Sequence, residues 1–157
     1  MEIELKRILL VEDDPNDIEL TMIALEKNNL ASEVFVSRDG EEALDYLLDP
    51  RKNEATKVRY PSLILLDLKI PKISGLEVLK QIRANDLLKM IPVVILTSSR
   101  EEPDVKEAYR LGANAYVVKP VNFNEFIIAV KEIGFFWARV NEPPPGSFRI
   151  YQELSSE

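Results

Sequence analysis

The stretches Leu63-Ile64-Leu65-Leu66-Asp67 (LILLD) and Val93-Val94-Ile95-Leu96-Thr97 (VVILT) are apolar at nearly every position before each ends on one polar residue. A strand with one wet face alternates apolar and polar side chains. A run that is apolar at both parities has to be covered on both faces, as in a parallel sheet sandwiched between helices. Similar short runs fall at 7–12, 33–37 and 115–118, with longer stretches of helical spacing between them. Five strands alternating with five helices predict a doubly wound α/β domain. The first helix has Asp14 as N-cap, Pro15 at its first position and Asp17 in its first turn. The last opens on Asn122 with Glu125 three residues later, an Asn variant of the capping box.

Composition narrows what such a domain can do. The chain has 157 residues, 46% hydrophobic and 30% charged, which suits one globular core. Neither cysteine nor histidine occurs, so disulfides, thiolate metal sites, the commonest nitrogen ligand and the commonest general base are all excluded. A bound divalent metal would be a hard, oxygen-preferring ion such as Mg²⁺ or Ca²⁺. A formal net charge of −7 repels nucleic-acid backbones and anionic membranes on average, so neither is an expected partner. No apolar run approaches the roughly 18–20 residues of a membrane span, and MEIELKR lacks the features of a signal peptide, so a cytoplasmic location is expected. The domain is placed over 1–141, with a polar loop at 49–61 expected to be mobile and a Pro-rich linker and tail over 142–157.

In open parallel sheets, ligands bind beyond the carboxyl ends of the strands, where the strand order reverses. Those ends carry Glu12 and Asp13 after the first strand, Asp67 on the third, Thr97 on the fourth and Lys119 just after the fifth. If the order is 2-1-3-4-5, strands one and three are neighbours and their three carboxylates converge. Two carboxylates about 5 Å apart at an effective dielectric of 20 repel by roughly 3 kcal/mol, so three call for a cation, and Mg²⁺ suits the set. Asp14 and Asp17 are assigned instead to capping and dipole compensation. A divalent ion, a central carboxylate, a hydroxyl and an ammonium are the parts needed for phosphoryl transfer to Asp67, with Thr97 and Lys119 holding the phosphoryl oxygens. A carboxylate is already ionised at neutral pH, so no general base is needed. An EF-hand starting at Asp13 fails because Pro15, Ile18 and Ala24 stand where an acceptor, Gly and Glu are required. A flavin site fails because the loop after strand one is acidic where it should cradle phosphate.

The blocks ILLVEDD, LILLDLKIP with SGLEVL, PVVILTSS and GANAYVVKP occur in that order, and over about residues 6–137 they resemble response-regulator receiver domains of two-component systems. The resemblance implies a flavodoxin-like (βα)5 fold with strand order 2-1-3-4-5. It implies that Asp67 accepts phosphate from a phosphohistidine on a sensor histidine kinase or histidine phosphotransfer protein. Asp13 and Asp67 would ligate Mg²⁺, with Glu12 acting through water and the backbone carbonyl of Lys69 as a further ligand. Thr97 and Lys119 match the phosphoryl-contacting hydroxyl and lysine, Tyr116 the aromatic switch position, and Lys119-Pro120 a bond that is usually cis. The long loop before strand three and the ending EIGFFWARVNEPPP look more narrowly like the single-domain regulators found beside phytochrome-type sensor kinases.

Phosphorylation would roughly double the negative charge at Asp67, drawing Thr97 inward and making room for Tyr116 to turn in. On helix five, at 100° per residue, Phe123, Phe126, Ile127, Val130, Ile133 and Trp137 share a face expected in the core, while Ile128 and Phe135 point almost oppositely. That second face is expected to serve a partner or a homodimer formed through helices four and five. Three function classes follow. The first is a non-enzymatic phospho-signalling module whose output is binding. The second is a phosphohydrolase with Asp67 as nucleophile, although such enzymes usually place a second acid where Lys69 stands. The third is an unphosphorylated pseudo-receiver, against which the complete set Glu12, Asp13, Asp67, Thr97 and Lys119 argues.

Overall fold

The computed structural model describes residues 2–28, 30, 33–49, 60–145, 147 and 149–153. Parallel strands β1 (Glu2–Val11), β2 (Glu33–Ser37), β3 (Leu63–Leu66), β4 (Val93–Thr97) and β5 (Ala115–Val118) lie in the order β2-β1-β3-β4-β5. Helices α1 (Pro15–Lys27), α2 (Gly40–Leu47), α3 (Gly75–Ala84), α4 (Glu102–Arg110) and α5 (Phe123–Gly134) follow the strands in turn. This is the expected doubly wound, flavodoxin-like arrangement. Every residue of β3 and β4 is buried, and alternate side chains feed two separate cores. Ile64, Leu66, Val93 and Ile95 pack with α2, α3 and Ala108 of α4, while Leu63, Leu65, Val94 and Leu96 pack with Leu25 of α1 and Phe126 and Val130 of α5. Burying each such side chain contributes about 1.5–3 kcal/mol, which is why polarity is deferred to the strand tips.

The tips are held in line by the ladder itself. Leu66 pairs with both Val11 and Ile95, and Thr97 with Val118. One further backbone bond runs past each strand: Glu12 N–H to Ser37 O at 2.9 Å, Asp67 N–H to Val11 O at 3.0 Å, and Lys119 N–H to Thr97 O at 2.7 Å. The helix starts read from the sequence are present. Asp14 Oδ1 accepts from the N–H groups of Asn16 at 2.8 Å and Asp17 at 3.2 Å, and Asn122 Oδ1 accepts from Glu125 at 3.1 Å.

Several details differ from the sequence reading. β1 starts at Glu2 rather than at 7, and its first half pairs antiparallel with a sixth strand, β6 (Arg149–Glu153), from Glu2↔Glu153 to Lys6↔Arg149. That pairing partner lies at the other end of the chain, where local periodicity gives no hint of it. α5 ends at Gly134 and runs on as a π-helical segment, Phe135–Val140, where the sequence reading carried the 100° spacing through Trp137. Phe123, expected in the core, is 56% exposed. It opens α5 and lines a shallow surface depression with Asn16, Glu19, Leu20 and Ile23 of α1, so it lies over α1 rather than beneath α5. No cis peptide bond occurs among the described residues, so Lys119-Pro120 is trans, the form favoured intrinsically even before proline. Within the loop expected at 49–61, residues 50–59 lie outside the described residues. Among the described residues no helix is long and apolar enough to cross a membrane.

Gly75 sets the approach of α3 to the strand tip. Its N–H donates to Leu68 O at 2.9 Å, and a Cβ there would meet Asp67 O at 2.2 Å and Leu68 Cα at 2.7 Å. Both obstacles are backbone, which cannot swing aside as a side chain would. Gly75→Ala is expected to destabilise the protein by about 1–3 kcal/mol. Urea unfolding would check this through a lower midpoint at unchanged slope; an unshifted midpoint would contradict it.

Candidate functional site

Four polar side chains leave adjacent strand ends and are nonetheless buried: Glu12 at 2% exposure, Asp67 at 7%, Thr97 at 0% and Lys119 at 8%. Asp13, next in the chain after Glu12, is exposed. One carboxylate oxygen from each of Glu12, Asp13 and Asp67 lies within 4.8 Å of the others. Two buried carboxylates and one facing solvent form an all-oxygen donor set that fits a hard divalent cation keeping some of its water. The convergence expected from the strand order is therefore present.

The positive charge set among these carboxylates is Lys119. Its Nζ donates to Glu12 Oε2 at 2.6 Å, Asp67 Oδ2 at 2.8 Å and Asp17 Oδ2 at 2.8 Å. An ammonium has three N–H groups, and three carboxylates take them. Asp67 Oδ1 accepts from the Leu68 N–H at 2.7 Å, and Glu12 Oε1 from the Asp14 N–H at 3.1 Å. The sequence assigns Asp17 to capping and the helix dipole; its place at Lys119 corrects that expectation. The available signal was position: a helix that starts directly after a strand tip carries its first turn back over the site.

These contacts set the protonation states. Burial raises Glu12 to about 7; the Lys119 hydrogen bond opposes the rise and the Asp67 charge adds to it. Burial also pushes Asp67 upward. There the Lys119 hydrogen bond and charge, together with the Thr97 hydroxyl and Glu12, outweigh it and hold the carboxyl below its ordinary value. Burial disfavours the Lys119 cation, but hydrogen bonds to Asp17, Asp67 and Glu12 hold it charged well above the usual lysine range. At neutral pH the centre of the site is thus an ionised Asp67 beside an ammonium, with Glu12 close to half-protonated.

Thr97 connects the centre to the β4–α4 loop. Its Oγ1 accepts from the Ser99 N–H at 3.4 Å, the Ser99 hydroxyl donates to Asp104 Oδ2 at 2.5 Å, and the half-buried Tyr116 donates its hydroxyl to Ser99 O at 2.8 Å. Ser99 was not singled out in the sequence, where a serine after a strand looks like any turn residue. Lys69 is exposed in the turn after β3, two residues beyond Asp67. Ile128 and Phe135 are 54% and 57% exposed. With Asn28 and Leu30, which follow α1, they line a groove of 410 Å³, so this part of α5 looks toward the end of α1.

Comparison with known proteins agrees with this geometry. The profile of the response regulator receiver domain matches residues 8–131. Response regulator Rcp1 of Synechocystis sp. is 41% identical over 132 residues, covering 84% of this chain and 88% of Rcp1. The Mn²⁺-bound form of Rcp1 superposes with a TM-score of 0.79 at 38% identity, covering 88% and 99% of the two chains. The phosphorylated cyanobacterial phytochrome response regulator RcpA gives 0.81 at 40% identity, covering 89% and 99%. The bacteriophytochrome response regulator RtBRR is 57% identical with a TM-score of 0.65, covering 91% and 86%.

The raised Glu12 value has a definite sign in stability. A carboxyl that binds its proton more tightly when folded stabilises the fold at low pH, and that advantage is lost as pH rises from about 4.5 to about 7. In chelator, stability should fall by roughly 2 kcal/mol between pH 5 and pH 8. Glu12→Gln should flatten most of that decline. Urea midpoints measured across the range decide it, and a wild-type profile already flat there would contradict the assignment.

Proposed function

The chain belongs to the response regulator receiver domain family, and from that membership we propose that Asp67 accepts a phosphoryl group from a phosphohistidine. The donor is a sensor histidine kinase of the phytochrome type, or a histidine phosphotransfer protein. The observation that carries this is the buried Asp67 carboxylate, ionised and bonded to the equally buried Lys119 ammonium. An Asp67 oxygen attacks phosphorus, the O–P bond forms as the P–N bond breaks, and the imidazole nitrogen leaves with the electron pair. No proton passes to or from this chain, which suits a site without histidine. Glu12, Asp13, Asp67 and the Lys69 backbone carbonyl would hold Mg²⁺, whose charge offsets that on the phosphoryl oxygens. The Thr97 hydroxyl and Lys119 contact those oxygens directly.

The output is a change of shape. As Thr97 turns toward the phosphoryl group it lets go of the Ser99 N–H, and Ser99 in turn holds both Asp104 on α4 and the Tyr116 hydroxyl. The β4–α4 loop thereby passes the change to α4 and β5 as a shift between two packings. Exposed Ile128 and Phe135 support a contact through α5, which we assign to a second copy of the chain.

Incubation with Mg²⁺ and acetyl phosphate should give a single phosphoryl adduct by intact mass, absent in Asp67→Asn. Turnover of the donor without an adduct would instead indicate a phosphohydrolase, and no reaction a pseudo-receiver. Thr97→Ala should still form the adduct but lose the phosphorylation-dependent change in hydrogen exchange of α4 and β5. For the α5 contact, Ile128→Lys should lower the solution mass toward that of one chain in light scattering; an unchanged mass would remove that surface from consideration.

A further inference from the structure

The three carboxylates on Lys119 have different prospects once the site is at work. Asp67 becomes esterified, and its oxygens belong to the phosphorus and the cation. Glu12 sits with Asp13 and Asp67 in the cluster that can take a metal. Asp17 is in neither position. It is bonded to the ammonium at 2.8 Å yet lies outside the metal-competent cluster among the described residues. Its backbone is pinned from both sides: the Asp17 N–H donates to the Asp14 cap at 3.2 Å, and the buried Thr21 hydroxyl donates to Asp17 O at 2.7 Å. The first turn of α1 therefore presents the Asp17 carboxylate from a fixed place.

We propose that Asp17 is the positioning residue for Lys119: it retains the ammonium when a divalent cation and a phosphoryl group displace it from Glu12 and Asp67, and so keeps it aimed at the transferred group. The proposal rests on the phosphoacceptor reading above. All three Lys119 N–H groups are taken by these carboxylates, so none is free for a phosphoryl oxygen until a carboxylate lets go. A cation arriving at Glu12 and Asp67 repels the ammonium, and Asp17 is the carboxylate onto which it can fall back without leaving the site. Without Asp17 the ammonium would have only Glu12 and Asp67, where it competes with the metal for the same oxygens.

The test is a double-mutant cycle on the full chain, read by calorimetric titration of Mg²⁺ and by NMR of the Lys119 side-chain ammonium. Asp17→Asn should weaken Mg²⁺ binding about five- to tenfold, whereas in a Lys119→Met background the same substitution should change it less than about twofold. Asp17→Glu should restore binding to near the wild-type value. In the metal-free protein the ammonium resonance should be sharp in wild type and in Asp67→Asn, and broadened by exchange with water in Asp17→Asn. Equal effects of Asp17→Asn in both backgrounds would make Asp17 an ordinary distant charge and overturn the proposal. So would a sharp ammonium signal in Asp17→Asn. The NMR arm needs neither metal nor phosphate. A wild-type protein that binds no Mg²⁺ would therefore count against the phosphoacceptor reading, while the ammonium signal alone still decides for or against Asp17.

Discussion

The contact on which the rest depends is the Lys119 ammonium among Glu12, Asp17 and Asp67. Removing ionised carboxylates from water costs several kcal/mol each, and a buried charge is tolerated only when it is paired and its hydrogen-bonding capacity is met. Here one cation serves three carboxyl groups with all of its donors, and Asp67 keeps its charge in a place that would otherwise protonate it. Glu12 bears the remaining imbalance and titrates near neutrality. The same arrangement leaves the site short of positive charge, which is the electrostatic condition for binding a divalent cation.

Such a cluster needs its members delivered with little freedom, and the parallel ladder does this. The backbone bonds that continue past β1, β3 and β5 hold Glu12, Asp67 and Lys119 as though each were one more strand residue. Gly75 lets the α3 loop close directly over the Asp67 backbone. At the opposite end of the sheet, Arg83 donates to the carbonyls of Ile91 and Gly112 and to the Asn114 side chain, which ties together the segments feeding β4 and β5. Both ends are therefore fastened, and the β4–α4 loop is held chiefly by polar bonds at Ser99. Polar bonds that can be exchanged for others at small net cost suit the loop to the shift proposed for it above.

Much of this was legible in the residues. The unbroken apolar runs LILL and VVIL can be accommodated only where both faces are covered, so the central place of β3 and β4 follows from burial, whereas the order 2-1-3-4-5 was implied by the resemblance to receiver domains. The tip residues Glu12, Asp13, Asp67, Thr97 and Lys119 follow from the rule that such sheets bind at their carboxyl ends. Asp14 and Asn122 were readable as caps because a cap is a local bond within four residues. Phe123 was misplaced because a helical wheel records which residues share a face, and a first-turn residue can share the core face while lying past the edge of the core, here over the surface of α1.

What tertiary structure alone decided are the contacts between segments remote in the chain. Asp17 and Lys119 are separated by 102 positions, and no local pattern distinguishes a first-turn Asp that serves the helix dipole from one that also holds an ammonium. The pairing of Glu2–Lys6 with Arg149–Glu153 is of the same kind, since a strand's partner is chosen by whichever edge is within reach. Periodicity and composition determined which side chains had to be buried and which strand tips had to be polar, because burial energy is a property of each residue. Which tip would hold which charge was decided by the packed chain, because a hydrogen bond depends on tenths of an ångström that only packing sets.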